Sequence, residues 1–450
     1  MNKIATFFLT LTLCAVQVLH PTVYGAEHSP NPSWLEHSYP VIDFDEDSIL
    51  VSDFSVTGDG KIDDTSALQA ALKFCSENDR QCVLDSDMQV RITAPVYIWG
   101  GGSLIGRSGA AIKIDITDFK NRFIVNLGIS DKHKPEREFS GQISNINFVT
   151  VTGPILKGVK NTLPYAVGGR IVKIWRIKDA LISGNFFEVG KYMYAAVGSG
   201  KNKNWLHGSL SENNGVTIRN NTISATAPPH GMEGIGLGTF RNATISNNTV
   251  YGVGDDPIGI HNCENIEIHS NRLASVDGRI LITNSENISV RKNYVARHKS
   301  LLDNKVSRGM ALVHVGYTKG RYRSKSSNID LSNNHFYYPG QGKDRHAMVY
   351  VQGTSDITIA NNTFENHSAN SIPSVKIGTR IFKKRHPEAP KSQENIFLVG
   401  NTTIMDNIHT GTQPLREVLI QGRCQEIEGR VYVSGKETEL ITSDCKTLGQ

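Results

Sequence analysis

The chain has 450 residues, a formal net charge of +5 at neutral pH, 38% apolar and 20% charged residues, and 41 glycines. That apolar content is too high for a disordered polymer, and beyond the N-terminal leader no apolar run is long enough to span a bilayer. The mild positive charge tolerates an acidic polymer as partner without demanding one, and no basic run interleaved with aromatics speaks for nucleic acid.

Residues 1–26 read as a signal peptide: Lys3, an apolar core from Ile4 to Val18, then small residues at Gly25 and Ala26 where cleavage would fall. The expectation is an exported protein, periplasmic or secreted, with no membrane insertion. Residues 27–48 contain Pro and His without periodicity and read as a leader arm. Export permits disulfides. Cys75–Cys82 and Cys424–Cys445 are the natural local pairs, which leaves Cys263 as a buried small apolar residue. None of these spacings is a zinc pattern.

Residues 49–112 hold a more specific signal. Leu68, Ala71, Leu72 and Cys75 recur at helical spacing, Gly58 and Gly60 supply a turn before them, and Asp63 or Asp64 is placed to cap the helix. The run from Asp53 to Thr65, DFSVTGDGKIDDT, closely resembles the "DFGAxGDGxTDDT" opening of the pectate-lyase-like superfamily, which includes the polygalacturonases. The later YIWGGGSLIG, Tyr97 to Gly106, is similar to the first coil of those proteins. The resemblance implies a right-handed parallel β-helix whose first coil lies under this N-terminal cap.

The residues beyond agree with it. Alternating apolar strands closed by an Asn recur, ending at Asn185, Asn221, Asn248, Asn271, Asn293, Asn334, Asn362 and Asn401. The steps mostly fall near the length of one β-helix coil, with longer ones where loops are inserted. Propeller blades need a longer period throughout, and leucine-rich repeats need a Leu spacing and a helical half that are missing. The chain is therefore expected to be all-β, a single-stranded right-handed parallel β-helix: N-terminal cap and first coil over 49–112, coils over 113–410, and a C-terminal cap over 411–450. The repeated Asn predicts tight turns stacked in a hydrogen-bonded ladder. Sequons at Asn220, Asn242, Asn247, Asn287, Asn361 and Asn401 read as ladder positions rather than glycan sites.

Three consecutive copies between Gly231 and Asn293 supply a register. Ile235 and Leu237, Ile258 and Ile260, Ile280 and Ile282 align and should point inward. The remaining columns should face out: Gly234, Pro257 and Arg279; Gly236, Gly259 and Leu281; and Gly238, His261 and Thr283, the last running on to His314 and Gln352. The glycines would leave a flat surface for a sugar ring. Glu233 and Asp256 take the same place one coil apart, so their carboxyls should meet at a separation glycosidases use, each raising the other's pKa.

Asp255–Asp256–Pro257–Ile258–Gly259–Ile260 matches the "DDCIAI" coil of polygalacturonases, and Glu233–Gly234 stands where their "TDG" would be. Asp277–Gly278–Arg279 replaces their "GHG", and Arg308 falls near the coil of their "RIK". The register and the resemblance together make Asp256, Asp255 and Glu233 the expected catalytic acid and base. Outward-facing His261, loop residue His230 and the arginines Arg279 and Arg308 are expected around the substrate, and no metal or cofactor is expected. The expected activity is hydrolysis of an acidic polysaccharide. A lyase or C5-epimerase acting on an anionic glycan, in which calcium would have a place, and a non-catalytic glycan-binding or exopolysaccharide-assembly protein are the alternatives.

Overall fold

The computed structural model describes residues 44–116, 123–128, 140–150, 169–190, 193–199, 213–225, 232–275, 278–297, 311–316, 326–339, 347–367, 372–378, 380–381, 396–397, 401–412, 416–421, 431–433 and 436–437. The signal peptide, most of the leader arm, His230, Arg308, Cys424 and Cys445 lie outside the described residues.

Successive strands never pair with one another along most of the chain; each pairs in parallel with a strand one coil away. Three sheets result, of 14, 12 and 11 strands among the described residues. The first runs from Ile49–Leu50 to Lys436–Glu437, the second from Asp59–Asp63 to Ile408–Gly411, and the third from Val96–Ile98 to Arg416–Gln421. A coil that gives one strand to each wall has its apolar alternate residues facing a common axis. Ile235, Leu237, Ile258, Ile260, Ile280 and Ile282 are all fully buried there, as the aligned copies predicted. Aromatic pairs continue the same core, Phe148 stacked on Phe187 at 5.0 Å and Phe336 tilted against Phe364 at 5.2 Å between ring centroids. No helix among the described residues is long and apolar enough to cross a membrane.

The predicted helix spans Thr65–Glu77 and buries Leu68, Ala71, Leu72 and Cys75. Its two candidate caps divide the work. Asp63 accepts the Thr65 N–H at 3.0 Å, whereas Asp64 turns back to accept the N–H groups of Thr57 and Gly58 at 2.8 and 3.0 Å. Gly58 and Gly60 sit at φ 65° and 73°, which explains glycine in that turn. The Cys75–Cys82 disulfide is formed, and Cys263 is a free, buried thiol that burial pushes up to about 11.

The asparagine ladder is real and runs inside one corner. Asn185, Asn221, Asn248, Asn271, Asn293 and Asn334 each donate from Nδ2 to the Oδ1 of the next, at 2.9–3.0 Å. After Asn362 the next rung is Asn407, not Asn401. Asn401 donates to Asp356 instead, at 3.0 Å, and belongs to a second, outer ladder. That one links Asn214, Asn242, Asn265, Asn287 and Asn328. Of the sequon residues, Asn242, Asn287 and Asn401 are thus outer-ladder members. Asn220, Asn247 and Asn361 sit at φ 53–55° just before an inner-ladder Asn, where the left-handed region favours this residue type. Parallel pairing also continues past residue 411: Arg416–Gln421 pairs with Pro373–Gly378, and Val431–Val433 with Thr402–Met405.

Candidate functional site

The candidate residues lie on the third sheet. Strand Glu233–Gly238 pairs in register with Ile258–His261, matching Ile235 to Ile258, Gly236 to Gly259 and Gly238 to His261. Ile258–His261 pairs in turn with Ile280–Thr283. Just upstream the Gly234 N–H donates to the Asp256 carbonyl at 3.0 Å, and the Asp255 N–H to the Met232 carbonyl at 2.9 Å. Those bonds place Glu233 and Asp256 on adjacent rungs, as the alignment required.

Around this column the alternation breaks at the corner. Ala196 and Val197, like Ile171 and Val172, are consecutive residues that both join the central apolar cluster, while Ala195, though buried, does not. By register Arg170, Ala195 and Glu233 share one column. Gly234, Pro257 and Arg279 belong to the neighbouring column, predicted to face outward. At Gly234 that is corrected, because a Cβ there would meet Val250 of the core at 2.8 Å. Arg279 escapes inward burial by turning its guanidinium to Asp256, Nε to Oδ1 3.2 Å.

The glycine column has a different use from the one predicted. A Cβ on Gly236 would run into the Glu233 carboxylate, and one on Gly198 into the Arg170 side chain. At Gly259 a Cβ would lie 3.3 Å from His261 Nε2 and 3.9 Å from the Glu233 carboxyl carbon. The glycines let these long polar side chains lie flat along the sheet, so the sheet offers functional groups where bare backbone was expected. His261 also shares a 2.7 Å hydrogen bond between Nδ1 and Thr283 Oγ1. The column of His261 and Thr283 does not run on to His314: Thr283 pairs with Gly316, and His314 pairs with Leu281, two residues earlier and one outward column over. There His314 bonds Gln352 at 3.1 Å and stacks on Tyr350.

Charge is concentrated at Asp256, which is 3% exposed. Burial, then the charge of neighbouring Asp255, hold its pKa well above the carboxylate range; Arg279 pulls it down, while Glu233 and a hydrogen bond with the Asp255 carboxyl raise it further. Asp256 therefore tends to keep a proton where an ordinary Asp has lost it. Two residues that the three aligned copies did not reach complete the cluster. The Tyr194 hydroxyl donates to Glu233 Oε1 at 2.9 Å, and the Arg170 guanidinium lies 4.8 Å from the centre of the Tyr194 ring. Glu233 and burial push the Tyr194 hydroxyl upward, so it stays a neutral donor. Extending the alignment two coils toward the N-terminus would have exposed Arg170 in the Glu233 column; Tyr194, one residue ahead of its strand, had no repeat signal.

Asp255, Asp256, Glu233, Arg279 and His261 are thus brought together on one wall, whereas Arg308 and His230 lie outside the described residues. Among the described residues no group of three or more His, Cys, Asp or Glu side chains is arranged to hold a metal ion.

Comparison with known proteins bears on the scaffold. A family described as "Right handed beta helix region" matches residues 208–379. No curated protein sequence matches the chain. Among solved structures, the PfbA surface adhesin of Streptococcus pneumoniae superimposes with a TM-score of 0.56 at 14% identity, over 85% of this chain and 91% of that one. The DFA-IIIase of Arthrobacter chlorophenolicus A6 gives 0.56 at 11% identity, over 88% of this chain and 100% of that one. A family 28 exopolygalacturonase of Yersinia enterocolitica gives 0.52 at 12% identity, over 87% of this chain and 79% of that one. The chain has the fold of the right-handed parallel β-helix superfamily.

Proposed function

We propose that this protein is an exported glycoside hydrolase that cleaves an acidic polysaccharide by carboxylate acid/base catalysis. The observation that carries the reading is Asp256: a buried carboxyl biased toward its protonated form, one rung from Glu233 and faced by Arg279. A carboxylic acid kept neutral is what protonation of a glycosidic oxygen needs, and a second carboxyl beside it can take the proton of the attacking water. In this reading Asp256 gives its proton to the departing oxygen while Glu233, held in place by Tyr194, accepts one from water. Asp255 shares the proton of the acid, and Arg279 and His261 hold the sugar. The similarly folded exopolygalacturonase and DFA-IIIase lend support at the level of the scaffold, since their names place carbohydrates on this fold.

The test is release of reducing ends from soluble acidic and neutral polysaccharides. The expected result is turnover of an acidic one that falls by about a thousandfold in Asp256→Asn and in Glu233→Gln. Full rate in Asp256→Asn would overturn the assignment. A product with the near-ultraviolet absorbance of an unsaturated uronate would move the chemistry to elimination, and binding without turnover across the panel would leave a glycan-binding protein.

A further inference from the structure

The second sheet carries an outward cluster that the candidate site does not use. Tyr294, His335 and Thr363 are register partners on three successive strands, and so are Ala296, Tyr337 and Glu365 one column away. The Tyr294 and Tyr337 rings stack with centroids 6.3 Å apart and planes 24° apart. His335 stands edge-on to Tyr294 at 5.1 Å, and His367 leans on Tyr337 at 5.7 Å. Between them Glu365 accepts from both imidazoles: His335 Nε2 at 2.8 Å and His367 Nε2 at 2.7 Å. Apart from buried Ala296 these side chains are partly exposed, and the platform runs on to exposed Ile408 and Thr410, register partners of Thr363 and Glu365.

We propose that this face is a second saccharide-binding site, separate from the acid/base cluster and specific for uncharged glycan. The stacked tyrosine pair offers its ring edges and outer apolar faces to the C–H side of sugar rings, with a hydroxyl on each rim. A carboxylate steadied by two N–H donors keeps lone pairs for sugar hydroxyls, and charge-assisted bonds of that kind are the stronger ones. As the carboxylate at the centre of the platform, Glu365 repels uronates and favours neutral residues. The rung spacing of about 4.8 Å is close to the length of one pyranose unit, so neighbouring rungs match neighbouring sugars. Because Glu365 already occupies the histidine Nε2 groups, the cluster presents aromatic and carboxylate surface to a ligand. It lies on a different wall of the solenoid from Asp256, so such a site would hold the protein on a glycan while the other wall is free.

The experiment is affinity electrophoresis of the full chain in native gels containing hydroxyethylcellulose, galactomannan or dextran. At least one of these should retard the protein. Tyr337→Ala and Glu365→Gln should each weaken that retardation by roughly tenfold, the scale of one lost aromatic or charged contact. Tyr337→Phe should retain most of it, since the stacking face survives. Asp256→Asn should leave it unchanged, which separates this site from the catalytic reading. Should Tyr337→Ala fold poorly, Thr410→Lys serves in its place, its ammonium one rung from Glu365 blocking the carboxylate. No retardation in any of the three gels, or retardation indifferent to Tyr337, Glu365 and Thr410 changes, overturns the proposal.

Discussion

Asp256 is where the molecule departs furthest from ordinary side-chain chemistry. Its carboxyl is buried beside Asp255 and Glu233, and the single guanidinium of Arg279 does not offset that crowding. A group that binds its proton more tightly when folded than when unfolded adds stability below its ordinary value, here 3.8, and loses it as pH rises through the raised folded value. The Asn variant carries no such dependence. Urea unfolding of Asp256→Asn and of the parent across a pH series should therefore diverge above about pH 4. The difference should grow in favour of the variant by at most about 1.4 kcal/mol per pH unit until Asp256 ionises in the fold. Parallel pH profiles for the two proteins would mean that the carboxyl is not held protonated. The same titration sets the alkaline limb expected for the hydrolysis rate, because the acid is lost there.

At the scale of strand and corner, two repeated devices do different work. The glycines of the third sheet make room for polar side chains. Gly236→Ala should drive the Glu233 carboxylate from its place, because its Cβ would overlap that group. The cost is about 1–3 kcal/mol if the fold adapts. Activity should fall much further than stability, read as kcat against the thermal unfolding midpoint. Equal modest losses in both would show that Glu233 does not need that position. The inner asparagine ladder satisfies backbone carbonyls that the corner would otherwise leave buried and unpaired. Asn271 Nδ2 donates to the carbonyls of Ile245 and His269 and to Asn293, while its Oδ1 accepts from the N–H and Nδ2 of Asn248. Asn271→Ala should cost about 3 kcal/mol in denaturant unfolding. Asn265→Gly in the exposed outer ladder, where φ is 56° and glycine suits the backbone, should cost about 1 kcal/mol or less.

At the scale of the whole solenoid, each coil touches mainly the coils before and after it, so energetic coupling should decay along the axis. Phe148 and Phe336 lie on the second sheet six rungs apart, roughly 29 Å at the ordinary strand spacing. Each is fully buried in its own aromatic pair. Phe148→Ala and Phe336→Ala should each cost about 3–5 kcal/mol, and the double variant should cost their sum within about 0.5 kcal/mol. A coupling beyond that, measured by denaturant unfolding, would mean that the core responds as one unit. The same one-dimensional build lets two walls carry two separate chemistries, acid/base groups on the third sheet and the tyrosine–histidine cluster on the second.

What the sequence determined by itself was whatever repeats. Ile258 and Ile260 recur with their counterparts in the coils on either side, so inward alternation, coil period and the Glu233–Asp256 register were all legible. The helix over Thr65–Glu77 was legible from its spacing, and the ladder from its asparagines. Tertiary structure decided what does not repeat. Tyr194 reaches Glu233, and Arg170 reaches the Tyr194 ring, from coils separated by insertions. Arg279 swings to Asp256 at a corner where alternation fails, and Asn407 displaces Asn401 from the inner ladder. Periodicity in a chain records which residues must share an environment. Which long side chain lies across which glycine depends on the contact between neighbouring coils, and no local pattern encodes that contact.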